Sequence, residues 1–198
     1  AKVYRSLKKL GAGYLQFIPC LDPLGAARGG MAYSLTPADY GSFLCGLFDE
    51  WYRDWAQGCY TSVRLFDDYV HLAMGLPAGA CAANGRCGGY LVVEGDGGVY
   101  PCDFYVLDEW RLGQIGEATP EQLAATETAQ RFLRQSARRP AECAACEWQP
   151  LCHGGCMRDW QQGTANSNYY CAAFKAFFAH AAPRLQTIAR AEQRAQRG

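Results

Sequence analysis

Four cysteines fall within fourteen residues of this chain, spaced Cys143-x2-Cys146-x5-Cys152-x3-Cys156, and no other feature narrows the possible folds as much. A backbone that gathers several thiols onto one centre must turn tightly, so its local fold answers to ligand geometry before it answers to a hydrophobic core. Gly154 and Gly155, between the last two of the four, suit such wrapping because glycine turns at little steric cost. Cys81-x5-Cys87 and Cys102 stand upstream, and Cys171 follows Cys156 by fifteen residues. These eight thiols are two sets of four, the number that a [4Fe-4S] cluster or a structural zinc ion each requires. Spacing leaves iron-sulfur and zinc level, with zinc implying a structural or interaction module. His153 is a possible fourth zinc ligand, but a histidine beside cysteines is more often a hydrogen-bonded neighbour.

The chain has 11 cysteines in all and no secretory signal, since Lys2, Arg5, Lys8 and Lys9 precede no apolar stretch. A disulfide framework is therefore not expected, and the chain reads as cytoplasmic, where thiols stay reduced. Cys45, among Phe43, Leu44 and Leu47, reads as an ordinary buried thiol, and Cys20 and Cys59 are isolated. With 19 basic and 19 acidic residues the formal charge is zero, which gives no field to draw in nucleic acid or an anionic membrane. No run approaches the roughly 18 apolar residues of a membrane span. The 49% hydrophobic content can fill a packed core.

Periodicity predicts an α/β fold. Val3, Leu7 and Leu10 mark the face of an opening helix, and Tyr14 to Ile18 suits a buried strand. Thr36-Pro37-Ala38-Asp39 supplies an N-cap, a proline at the first helical position and an acidic first turn. The helix that follows buries Tyr40, Phe43, Leu44, Leu47, Phe48, Trp51 and Trp55, and Gly58 stops it. A strand from Val63 to Phe66 and a helical segment from Val70 to Met74 come next. Composition shifts after Pro77, which sets expected domains of 1–77 and 78–198. Tyr90 to Glu94 and Val99 to Cys102 flank Gly95-Asp96-Gly97-Gly98 as a β-hairpin, with Asp96 only a turn residue. Thr119-Pro120-Glu121-Gln122 caps a helix to about Arg134. The last segment, from Ala172, is helical with Phe174, Phe177, Phe178, Leu185 and Ile188 buried, is kinked or divided at Pro183, and frays at its Arg- and Gln-rich end.

Cys87-x9-Gly97-x4-Cys102, then Cys143, Cys146, Cys152 and Cys156 at the spacings above, then Cys171, resembles the seven-cysteine pattern of the SPASM domain. That domain carries auxiliary clusters in radical S-adenosylmethionine enzymes that modify peptides. Within that group the chain is similar to the anaerobic sulfatase-maturating enzymes. The similarity rests on Gln16-Phe17-Ile18-Pro19-Cys20-Leu21-Asp22, the extra Cys81, Gly97-Gly98-Val99-Tyr100-Pro101-Cys102-Asp103-Phe104-Tyr105, and Leu112-Gly113-Gln114-Ile115-Gly116. It implies the last strands and helices of a partial (β/α) barrel over residues 1 to 77, followed by a small cluster-organised domain. It also implies two interleaved [4Fe-4S] clusters, one on Cys81, Cys87, Cys102 and Cys156, the other on Cys143, Cys146, Cys152 and Cys171. Sequence proximity alone groups Cys143, Cys146, Cys152 and Cys156 together instead.

The resemblance further implies oxidation of a cysteine or serine in an unfolded sulfatase peptide of the Cys/Ser-x-Pro-x-Arg type to formylglycine. Asp103, directly after Cys102, would be the base, and Leu21 would face S-adenosylmethionine. Ferredoxin or flavodoxin would exchange electrons. Without the resemblance, Asp103 reads as a hydrogen-bonding carboxylate at the end of the hairpin. The Cys-x3-Cys-x2-Cys motif that holds the family's third, radical-generating [4Fe-4S] cluster is absent from these 198 residues. The chain is thus expected to be a C-terminal fragment, inactive alone. Thioether- or cross-link-forming relatives are the nearest alternative activities.

Overall fold

The computed structural model describes residues 1–160 and 167–196. Helix α1 (Lys2–Lys9) leads into strand β1 (Tyr14–Leu15), a long loop, helix α2 (Pro37–Ala56), strand β2 (Ser62–Val63) and helix α3 (Arg64–Ala73). Strands β1 and β2 pair in parallel, Tyr14 with Ser62 and Leu15 with Val63, with α2 as the crossover. This is the βαβ unit from which α/β folds are assembled.

Helix α2 begins as expected: Thr36 Oγ1 accepts the Asp39 N–H at 3.1 Å and Pro37 occupies the first turn. Tyr40, Leu44, Leu47, Phe48 and Trp51 are buried along one stripe, whereas Phe43 lies at its margin and is 38% exposed. Gly41 sits in the same face because α9 comes close: a Cβ there would lie 3.3 Å from the Ala173 Cα. Trp51 is buried with its Nε1–H donating to the Thr61 carbonyl at 2.8 Å.

The two short elements that flank α2 differ from expectation. Strand β1 stops at Leu15, and Tyr14 and Ile18 are largely exposed, because only two residues find a hydrogen-bonding partner. In α1 the buried residue is Tyr4, and Val3 and Leu10 point outward. The strand expected to reach Phe66 ends at Val63, and Phe66 belongs to α3. Its ring is wholly buried against Phe48 and Phe177, with centroids 5.2 and 5.7 Å away. Only a helical turn at Arg64 aims it there.

The second half contains α4 (Cys81–Asn84), an antiparallel sheet of β3 (Val92–Val93), β4 (Gly98–Tyr100) and β5 (Gly113–Gln114), then α5 (Pro120–Ala124), α6 (Glu127–Ala137), α7 (Ala141–Ala144), α8 (Gln149–Cys152) and α9 (Cys171–Ala195). The hairpin turn holds Asp96 as a turn residue, its carboxylate accepting the Gly98 N–H at 2.8 Å. The third strand, β5, was not expected from periodicity, being two residues long and glycine-led. The helix expected after Thr119 is two helices, since Thr126 caps a second one. The residue 183 proline does not divide α9, which continues to Ala195; residues 197 and 198 of the expected frayed end lie outside the described residues.

The largest core crosses residue 77. It joins Leu44, Leu47 and Phe48 of α2 and Phe66 and Tyr69 of α3 to Phe177, Phe178 and Leu185 of α9. The chain's two ends therefore share one interior, against which the cysteine-bearing segments are held.

Candidate functional site

Each cysteine is placed by a local device. Asp68, buried in α3, accepts the Gly79 N–H at 2.6 Å and the Ala80 N–H at 3.3 Å, and so presents α4 with Cys81 at its start. Asn84 closes the same turn, exchanging bonds with the Ala78 N–H at 2.9 Å and the Ala78 carbonyl at 2.5 Å. Cys102 follows β4. Cys143 lies in α7 and Cys146 just beyond it, Cys152 ends α8, and Cys171 begins α9.

Between Cys152 and Cys156 the backbone passes through three consecutive left-handed residues, His153, Gly154 and Gly155, at φ of 49°, 82° and 66°. Left-handed runs are rare, and glycine makes two of the three steps cheap. The third is held by tertiary bonds: His153 Nδ1–H donates to the Ala83 carbonyl at 2.9 Å, and the His153 carbonyl accepts Arg139 Nε–H at 2.8 Å. His153 is thus a hydrogen-bonded neighbour that ties the loop to α4. Gly85 leaves the necessary space, since a Cβ there would come within 2.4 Å of the His153 carbonyl oxygen.

The loop reverses the chain so that thiols four residues apart face different neighbours. Burial pushes the Cys156 thiol well up, and the charges that add to this are Asp159, then Cys87, Cys81 and Cys102. Burial raises Cys152 to about 11, and the thiols that press on it are Cys171, Cys143 and Cys146. Cys143, raised by burial, is further raised by Cys171 and Cys146. Cys156 thus has Cys87, Cys81 and Cys102 as its neighbouring thiols, and Cys152 has Cys171, Cys143 and Cys146. Cys81, Cys87 and Cys156 also line one small cavity. Burial that raises a thiol's pKa disfavours the bare thiolate, and a bound cationic centre offsets that cost by coordinating it.

Backbone amides assist. The amide two residues on is directed at Cys102, Cys152 and Cys156, from Phe104, Gly154 and Arg158 respectively, the last at 3.4 Å. Such bonds favour the thiolate. Among the described residues, no three His, Cys, Asp or Glu side chains converge closely enough to hold a single metal ion. A zinc ion needs its sulfurs about 2.3 Å from one point. Four thiolates per group is the ligand number of a [4Fe-4S] cluster and of a structural zinc ion alike.

Asp103 is exposed at the rim of the first set. Its Oδ1 accepts the Tyr90 hydroxyl at 2.7 Å and lies 3.4 Å from Cys102 Sγ. Leu21 is half-buried in the loop after β1. Its neighbour Asp22 is buried, its carboxyl held below the usual range by the Ser34 hydroxyl and the Gly29 N–H. The Asp22 carbonyl accepts both Arg28, at 3.3 Å, and Arg158, so the loop bearing Leu21 is bolted to the segment after Cys156. Sequence reasoning did not single out Arg158 or Arg139. Arg139 stands between the two thiol sets, acted on by Cys143, Cys87 and Cys152, with its guanidinium 4.8 Å over the Trp160 ring. An arginine so close to cysteine ligands was the available signal. Cys20 and Cys59 are exposed and Cys45 packs beside the large core, all three away from the two sets.

Residues 81–147 match the SPASM family of iron-sulfur cluster-binding domains. Around these residues the similarity extends over 95% of the chain, at 44% identity, to the cysteine-type anaerobic sulfatase-maturating enzyme of Clostridium perfringens strain 13. The serine-type anaerobic sulfatase-maturating enzyme of Bacteroides thetaiotaomicron is 28% identical over 91% of the chain. The solved structure of native anSMEcpe with bound AdoMet and Kp18Cys peptide superposes at a TM-score of 0.91, with 44% identity, over 96% of this chain. The chain spans about half the length of these proteins: 52%, 48% and 53% in turn. The mixed α/β backbone is therefore shared with that solved structure.

Proposed function

We propose that this chain is the auxiliary-cluster portion of a radical S-adenosylmethionine enzyme that oxidises a sulfatase cysteine or serine to formylglycine. What supports the reading is that Cys156 neighbours Cys81, Cys87 and Cys102 while Cys152 neighbours Cys143, Cys146 and Cys171, with the Asp103 carboxylate beside Cys102, on a backbone shared with a peptide-bound relative. Cys81, Cys87, Cys102 and Cys156 would hold one [4Fe-4S] cluster, and Cys143, Cys146, Cys152 and Cys171 the other. When bound, the clusters and S-adenosylmethionine supply radical and electron-transfer chemistry, which removes one hydrogen atom and later one electron from the substrate Cβ. The remaining proton falls to this chain. Asp103 would take it, with Tyr90 orienting the carboxylate through the 2.7 Å hydrogen bond. Leu21, on the bolted loop after β1, would lie against S-adenosylmethionine.

The setting is cytoplasmic, where reduced thiols and ferredoxin- or flavodoxin-type electron carriers are available. No helix of the described residues is long and apolar enough to cross a membrane. Without the Cys-x3-Cys-x2-Cys motif, these 198 residues would not cleave S-adenosylmethionine by themselves. The test uses the intact protein, reconstituted with iron and sulfide under anaerobic conditions, with S-adenosylmethionine, dithionite and a Cys-x-Pro-x-Arg peptide. The expected product is an aldehyde that couples to a hydrazine probe. Formation of 5′-deoxyadenosine with a thioether or cross-linked product would assign the chain to a different peptide modification.

A further inference from the structure

Beside the first thiol set lies an open cleft of about 940 Å³. Its walls are the loop from Leu24 to Arg28, the segment from Tyr105 to Trp110, one face of α6, and the turn from Met157 to Trp160. Five arginines line it, Arg28, Arg131, Arg134, Arg138 and Arg158, against one acid, Glu109. In a chain of zero net charge this is a concentrated positive feature.

Arg158 makes the cleft more than a basic patch. It is 5% exposed, and while its Nη2 donates to the Asp22 carbonyl, its Nη1 has no hydrogen-bond partner among the described residues. No carboxylate among the described residues forms an ion pair with it. A buried guanidinium with an idle donor is costly unless an anion completes it. Arg131, Arg134 and Arg138 line the same cleft. Arg131 is stacked 4.6 Å over the Trp110 ring, with one nitrogen donating to the Glu109 carbonyl at 2.8 Å. Arg134 reaches only the exposed Glu127.

We infer that this cleft binds the carboxylates of an acidic peptide segment, and that on the proposed function it reads acidic residues flanking the modified position of the substrate. Guanidinium forks match the two oxygens of a carboxylate in pairs. A lone carboxylate would fill little of the volume, so the anion comes on a larger body. Tyr105, Trp110 and Trp160 offer flat surfaces for a peptide. The position supports the link to the substrate: one wall begins two residues after Asp103 and another three after Leu21.

The test measures binding, not turnover. The intact, cluster-loaded protein is titrated with a fluorescein-labelled peptide carrying three aspartates around a Ser-x-Pro core, and with the same peptide bearing asparagines. The acidic peptide should bind about tenfold tighter, with the preference falling as salt rises. Arg158→Met should bring the ratio near one. Arg134→Gln in α6 with Arg138→Gln just after it, both exposed, should cut it about threefold. Equal affinity for the two peptides would overturn the inference, as would binding of an oligothymidylate of equal charge in place of the acidic peptide. A preference for acidic peptide without any formylglycine product would leave the cleft intact and refute the function alone.

Discussion

In a Cys81→Ala/Cys87→Ala background, one four-thiol set is disabled under any grouping, and the question becomes which further cysteine is silent. With the sets as proposed, Cys156 belongs with the two lost thiols, its neighbours, and Cys171 does not. Adding Cys156→Ala should then change nothing. The protein should keep about four iron and four sulfide, half of the about eight expected of the unaltered chain with two cubanes. Adding Cys171→Ala should instead leave Cys143, Cys146 and Cys152 with a vacant corner, and iron should fall below four or convert to a three-iron species. Grouping by sequence proximity predicts the reverse, since it places Cys156 with Cys143, Cys146 and Cys152. Iron and sulfide analysis of anaerobically reconstituted protein, with Mössbauer spectra to count intact cubanes, reads the result. A triple variant with Cys156→Ala that loses its remaining cluster, beside one with Cys171→Ala that keeps it, would refute the interleaved arrangement. Stoichiometric zinc with no iron uptake would refute cubanes altogether.

Asp103→Asn in the intact enzyme keeps the shape of the side chain and its bond to Tyr90 while removing the base. Iron content and 5′-deoxyadenosine formation should stay normal and formylglycine yield should fall by ~10²- to 10⁴-fold; near-normal yield would leave Asp103 structural. Phe177→Ala, at the meeting point of α2, α3 and α9, should destabilise the fold by about 3–5 kcal/mol in chemical denaturation, and a loss under 1 kcal/mol would show that the shared core is not cooperative. Asp159 is raised to about 6 by burial, with Arg28 opposing. Its neutral form is the one the fold favours, so its contribution is complete below pH 4 and is lost as pH rises through about 6, a difference of roughly 3 kcal/mol. Asp159→Asn should therefore raise stability at pH 8 relative to wild type and leave it little changed near pH 4, measured by denaturant midpoint; an equal shift at both pH values would exclude the buried carboxylate as the cause.

The amino-acid order by itself determined what depends on neighbours along the chain. Thr36 and Pro37 start α2, Thr119 and Gln122 form a capping box, and Gly95 to Gly98 turn the hairpin, because caps and turns are satisfied within a few residues. The number of thiols and their turn-rich setting were legible for the same reason. Tertiary structure decided which thiols meet. Cys152 and Cys156 are four residues apart, yet three left-handed residues between them, pinned by Ala83 and Arg139, give them different neighbouring thiols, and no spacing rule contains those two contacts. It likewise moved Phe66 from a strand to a helix, because burial against Phe48 and Phe177 outweighs the β-propensity of Val63 to Phe66. And it left one guanidinium nitrogen of Arg158 buried and idle, a property that belongs to the whole surrounding fold and to no stretch of the sequence.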